Sequence, residues 1–196
     1  MVCFCDIPLS RIDEHVGFYG DFGIGLTREW AESNNGTPIQ YVSGNNYIPE
    51  AIKDLGKFAE TFEGDELNKY HQTIRYLLAH TKPTQGNMVI NGQLVKKEFY
   101  QESEWRYVPK HDQVEAYIRK SDFENEDALS KYNTLSKEHC TLKFSPKDIK
   151  YIFVKSDSDI PNIINFIQGE MDNHPAADLK VLMSRITSLE SISQDV

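Results

Sequence analysis

The apolar positions of this chain change period repeatedly. They alternate over short runs and recur every three or four residues over longer ones, the marks of strands and of amphipathic helices. Val2-Cys3-Phe4-Cys5 opens a short buried strand over residues 2–7, stopped by Pro8. The chain thus begins directly on a strand, which means an abrupt start or further sequence upstream. Ser10, with Asp13 three positions on, forms a capping box for a helix over 10–19 that stops near Gly20. Residues 22–26 read as a second strand, in which Gly23 and Gly25 permit a bulge or a close backbone approach. Thr27 can cap a helix from Arg28 to about Ser33, which Asn34-Asn35-Gly36 ends. A third strand covers residues 38–42.

The next stretch is helical. Ile48, Ile52, Leu55, Phe58, Ala59 and Phe62 share one stripe, and Leu67, Tyr70, Ile74, Leu77 and Leu78 share another. These predict helices over 48–62 and about 65–80, parted at Gly64-Asp65. Strands return at 88–90 and 94–96, joined by Asn91-Gly92, the strongest short hairpin signal. A strand over 98–108 follows. Val114, Tyr117 and Ile118 suggest a turn or two of helix within 110–126, and residues 126–137 are helical. Residues 141–144 read as a strand. Ser145-Pro146-Lys147-Asp148 starts a helical turn that an apolar strand over 149–155 soon overtakes. A helix over 159–171, a last strand over 185–191 and a polar tail complete the chain. The order lacks the regular alternation of a doubly wound parallel sheet. It predicts an α+β fold: one domain over 1–196, a mixed or antiparallel sheet, and a helical pair at about 47–82 inserted over it.

With 196 residues, 39% of them hydrophobic, the chain can bury a sizeable core. Its net charge of −9 argues against direct nucleic-acid binding, which calls for a cationic surface. No stretch approaches the roughly 20 apolar residues of a membrane span. The start shows no basic and apolar leader, so the cytoplasm is the expected compartment. Cys3, Cys5 and Cys140 read as buried thiols. Among His15, His71, His80, His111, His139 and His174 no pair has ligand spacing, and no metal is expected. Glycine-rich residues 20–25 lack the spacing of a phosphate-binding loop.

Candidate chemistry gathers in Glu98-Phe99-Tyr100-Gln101-Glu102-Ser103-Glu104-Trp105-Arg106-Tyr107-Val108-Pro109. Read as a strand, it sets Tyr100, Glu102, Glu104 and Arg106 on one face and Phe99, Trp105 and Tyr107 on the other. Glu102 and Glu104 would then stand about 7 Å apart along the backbone. Such a pair can orient a ribose hydroxyl or activate a nucleophile, and mutual repulsion would raise one pKa. Equally, Arg106 can neutralise both carboxylates in a ladder with no catalytic role. His15 lies one helical turn from Ile12 and from Tyr19. A partly buried, backbone-bonded histidine and a catalytic base are the two readings for it.

The run from Val2 to Ser10, with His15, Tyr19-Gly20, residues 22–26, Trp30 and residues 38–42, resembles the bacterial abortive-phage-infection AbiGi family. So do residues 104–109 and 142–154. The resemblance implies a phage-defence protein, the antitoxin or regulatory component of a toxin–antitoxin module. Its implied partner is a cognate toxin, nucleotidyltransferase-like, and it implies no cofactor. A second analogy is to ADP-ribosyltransferase-like folds, which end their site on a strand glutamate. That analogy implies an effector that binds NAD, with Glu104 catalytic beside Glu102 and Arg106, and with His15, Tyr19 and Trp105 as ligand-binding residues.

Overall fold

In the computed structural model, which describes residues 1–44, 46–115 and 117–194, ten strands and nine helices are assigned among the described residues. In chain order they run β1 (Val2–Cys5), α1 (Ile12–Tyr19), β2 (Gly23–Leu26), α2 (Arg28–Ser33), β3 (Thr37–Pro38), β4 (Gln40–Val42), α3 (Ile48–Ala59) and α4 (Gly64–Ala79). Then come β5 (Thr81–Pro83), β6 (Gln85–Ile90), β7 (Gln93–Glu98), β8 (Glu104–Tyr107), α5 (Lys120–Phe123), α6 (Glu126–His139), β9 (Ile149–Val154), α7 (Ile160–Glu170), α8 (Ala176–Met183), β10 (Ile186–Ser188) and α9 (Leu189–Gln194). The α+β class holds, and its sheets are small, antiparallel or mixed. The chain forms two compact units: Met1–Asp6 with Asn35–Leu142, and Ile7–Asn34 with Lys143–Val196.

In the first unit, β8 is the central strand of a three-stranded sheet, antiparallel to β1 on one side and β3 on the other. β4 pairs in parallel with β5, and β6 with β7 makes the expected hairpin. Asn91 and Gly92 both hold positive φ, 49° and 78°, as a two-residue turn matched to strand twist requires. The predicted helical pair appears as α3 and α4. Ile39, Val42, Ala59 and Val108 are the first unit's buried apolar residues.

In the second unit, β9 lies between β10, parallel to it, and β2, antiparallel. Ile149, Ile167, Leu179 and Leu182 form the core, with Leu26, Ile152, Ile163 and Ile186 packed against it. Gly23 and Gly25 fulfil the close approach anticipated of them. A Cβ at Gly23 would collide with the Phe153 ring, and one at Gly25 with the Tyr151 ring. The pairing of β2 with β9 also shifts register between Gly25 and Leu26. Thr27 caps α2 as expected, its Oγ1 accepting from the Trp30 N–H at 3.2 Å. Ser145 and Asp148 close a capping box over one helical turn before β9 takes over.

Several expectations need correction. Ser10 does not cap α1; it sits inside a single 3-10 turn, Leu9–Arg11, set up by Pro8, whose carbonyl accepts from the Arg11 N–H. The strand at 2–7 is neither that long nor buried. β1 is a sheet edge, with Val2 and Cys3 exposed and Phe4 and Cys5 half-buried. Cys140 is half-buried as well, so the three thiols are not core residues. Residues 38–42 split at Ile39 because β3 and β4 join different sheets. Residues 141–144 form no strand: the Lys143 carbonyl accepts from Trp30 Nε1 at 2.9 Å and Phe144 meets the Trp30 ring edge-on. Within 110–126 the helix forms only at α5, while Val114 pairs with His111; Ala116 lies outside the described residues. The last strand stops at Ser188, whose Oγ accepts from the Ser191 N–H at the start of α9. No element was expected between Met171 and Arg185, yet α8 stands there.

Candidate functional site

β8 carries the charged face anticipated from its sequence, but the acid pair does not lie on one strand. Phe99–Glu102 form a 3-10 turn, and Ser103 takes a left-handed conformation (φ 44°) that separates the turn from β8. Gly86 lets the Phe99 ring approach its backbone, and the Tyr100 N–H donates to the Thr84 carbonyl at 3.3 Å. These contacts fold residues 99–102 against the base of the hairpin, where a continuous ladder cannot run. Tyr100 consequently points outward, 53% exposed.

The glutamates nevertheless converge. Lys82 Nζ, on β5, donates to Glu102 Oε2 at 2.7 Å and to Glu104 Oε2 at 2.6 Å. Lys97, on β7, stands 3.2 Å from Glu102 Oε1. Arg106 Nε donates to Glu104 Oε1 at 2.6 Å, and its Nη1 donates to the Ala79 carbonyl at the end of α4, also at 2.6 Å. The Glu104 N–H donates to Tyr41 Oη at 2.9 Å. Glu102 and Glu104 are 2% and 3% exposed, and Lys97 and Arg106 are also buried. Three cations therefore enclose two carboxylates, and all four carboxylate oxygens are engaged. Each charge removed from water is matched by an opposite charge within hydrogen-bond reach, without which burial would be severely unfavourable.

The electrostatics follow from that enclosure. Burial by itself would raise the Glu104 pKa. Hydrogen bonds from Arg106, Lys82 and Cys3 outweigh it and hold the carboxyl down at about 2. The rise expected from a like-charge neighbour is thus reversed at Glu104, because the cations lie nearer than the repulsion can offset. Burial would lower Lys82, but its bonds to Glu102 and Glu104 raise it. Cys3 faces Arg106 across the ladder and Cys5 faces Glu104. Burial pushes the Cys5 thiol up to about 12, and the Glu102 and Glu104 carboxylates add to the rise. Both cysteines are then neutral near pH 7 rather than reactive thiolates.

A pH dependence of stability follows. Glu104 is depressed from 4.5 in the unfolded chain to about 2 in the folded one. Its contribution, about 3 kcal/mol, is fully present above pH 4.5 and lost as the pH falls towards 2. Lys82 and Cys5 are raised, so their contributions hold at neutral pH and fade above their ordinary values of 10.5 and 9.0. Urea midpoints of the wild type should show an acid edge between pH 4.5 and 2. In Glu104→Gln that edge should be smaller.

The remaining anticipated site residues lie elsewhere. Trp105 alternates to the opposite face of β8, half-buried, with Phe4 and Pro38 as its register partners. His15 and Tyr19 belong to the second unit, where their rings approach to 4.5 Å on α1. The ADP-ribosyltransferase analogy asks Glu104 to hold a ligand, but Arg106 and Lys82 engage both of its oxygens.

Two members of the cluster escaped sequence reasoning. Lys82 is separated from the glutamates by 20 and 22 residues, and only the β4–β5 pairing delivers it. Lys97 did carry a signal: alternation along β7 places it on the face of Val95, a lysine where an apolar residue is expected.

The sequence profile of the family described as "Putative abortive phage resistance protein AbiGi, antitoxin" matches residues 1–155. The chain belongs to the AbiGi family. It is also 28% identical to the abortive phage resistance protein AbiGi of Lactococcus lactis subsp. cremoris, over all of this chain and 88% of that protein. No solved structure matches. The AbiGi match takes in every residue of the charge cluster and ends just after β9. Abortive phage resistance is therefore the role in which this chain stands. Among the described residues no helix is long and apolar enough to cross a membrane.

Proposed function

We propose that this chain is the antitoxin or regulatory component of an abortive-infection toxin–antitoxin module, acting in the bacterial cytoplasm by restraining a cognate toxin. The observation that carries the reading is the AbiGi match, whose description names an antitoxin. The closed charge cluster supports it. Carboxylates whose oxygens are all engaged by buried or half-buried cations serve as a frame for β8, β5 and the end of α4, in keeping with a protein that acts through its surface. A nucleotidyltransferase-like toxin, as the family resemblance implies, is the partner we expect.

Co-expression tests this directly. Products of the genes adjacent to the one encoding this chain are induced singly and together with it, and growth is followed. One adjacent product should arrest growth alone, and this chain should restore growth by at least tenfold in colony count. Arrest that the chain leaves untouched, or growth arrest caused by the chain itself, contradicts the antitoxin role.

A further inference from the structure

α3 and α4 turn back on each other at Glu60–Glu63, and three aromatic rings gather at that end. Phe58 meets Phe62 edge-on at 5.3 Å and Tyr70 at 6.2 Å, while Phe62 stacks on Tyr70 at 4.6 Å. The cluster is not interred: Phe58 is 54% exposed, and Leu55 and Tyr70 are exposed beside it. Contiguous exposed aromatics of this kind mark interaction surfaces.

The segment joining the two helices is acidic, although lysines flank it: Lys57, which pairs with Asp54 at 2.8 Å, and Lys69. Residues 60–66 carry Glu60, Glu63, Asp65 and Glu66 and no lysine or arginine. All four are exposed, and among the described residues none has a cationic partner. Local folding accounts for Asp65 and Glu66, which lie in the first turn of α4 where the helix dipole favours carboxylates. It does not account for Glu60, which closes the C-terminal end of α3, where a carboxylate opposes the dipole.

We propose that this aromatic end of the α3–α4 pair, with its acidic connecting segment, docks a Lys- or Arg-bearing segment with an apolar face on the cognate toxin, a proposal that rests on the antitoxin reading above. Charge decides among occupants. A second copy of the chain in a two-fold contact would set the same carboxylates against each other. Nucleic acid and anionic lipid carry the wrong sign. A cationic protein segment fits both features: the rings anchor its apolar side, and the carboxylates steer its approach and neutralise its charge.

The experiment uses the toxin whose arrest the chain relieves, purified, with binding measured by calorimetry at low and high salt. Phe58→Ser and Glu60→Lys change exposed side chains, and both should keep the wild-type melting temperature to within a few degrees. Each should weaken binding at least tenfold, Glu60→Lys should flatten the salt dependence, and Phe58→Ser should no longer restore growth. Val89→Ser, exposed on the hairpin, should bind as the wild type does. Wild-type affinity in both Phe58→Ser and Glu60→Lys overturns the docking surface and leaves the antitoxin reading standing. Growth relief by a chain that forms no complex with the toxin has the same consequence. If the wild type relieves no toxin, the antitoxin reading falls and the docking surface falls with it.

Discussion

Glu104→Gln should destabilise the protein by about 3 kcal/mol, because removing one partner of a buried ion pair strands the other charge. The neutral amide leaves Arg106 and Lys82 facing it in an environment where Glu104 is only 3% exposed. Lys82 keeps Glu102, so Arg106 bears most of the loss. Arg106→Gln should be costly for the converse reason. The double variant removes both members at once and should lose less than the two single losses added. Urea unfolding followed by circular dichroism measures all three. Strict additivity would show that Glu104 and Arg106 are not coupled, and would remove the basis for treating the cluster as one unit.

Leu182→Ala should cost a comparable 2–5 kcal/mol by a different route. Leu182 is 1% exposed and packs with Ile149, Ile167 and Leu179. Truncation subtracts the transfer free energy of its side chain and leaves a cavity that neighbours on β9 and α7 fill only in part. Val181, next to it on α8, is 49% exposed. Val181→Ala should therefore stay within about 0.5 kcal/mol of wild type. Equal losses at the two positions would mean that α8 does not bury the face described.

These two sites also show where sequence reasoning succeeds and stops. Signals set by local chemistry were legible: the positive-φ Asn91-Gly92 turn, the Thr27 cap, the Ser145–Asp148 capping box and the glycines that seat Phe153 and Tyr151. Each depends on residues a few positions apart or on the size of one side chain. The stripes of α3 and α4 were legible for the same reason. The charged face of β8 was legible at Glu104 and Arg106, where period two holds. It failed at Glu102, because Ser103 adopts a left-handed conformation that no alternation predicts. Of the partners that decide the cluster's character, Lys82 arrives through the long-range β4–β5 pairing, whereas Lys97 is close in sequence and reaches Glu102 only because residues 99–102 turn instead of extending the strand. α8 is not legible although Leu179, Leu182 and Met183 carry helical spacing, because no side-chain cap marks its start, where Pro175 holds the N-cap position. The thiols of β1 read as buried because an apolar run does not reveal that its strand lies at a sheet edge.

The central claim is that the buried carboxylates hold the fold and that the protein acts by restraint. Inducible expression of the chain alone in a bacterial host, beside Glu104→Gln and with melting temperatures measured on both proteins, tests it most directly. The account predicts normal growth with either protein and a lower melting temperature for the variant. Growth arrest by the wild type, relieved in a Glu104→Gln protein of unchanged melting temperature, would contradict it and mark Glu104 as a residue of an effector enzyme.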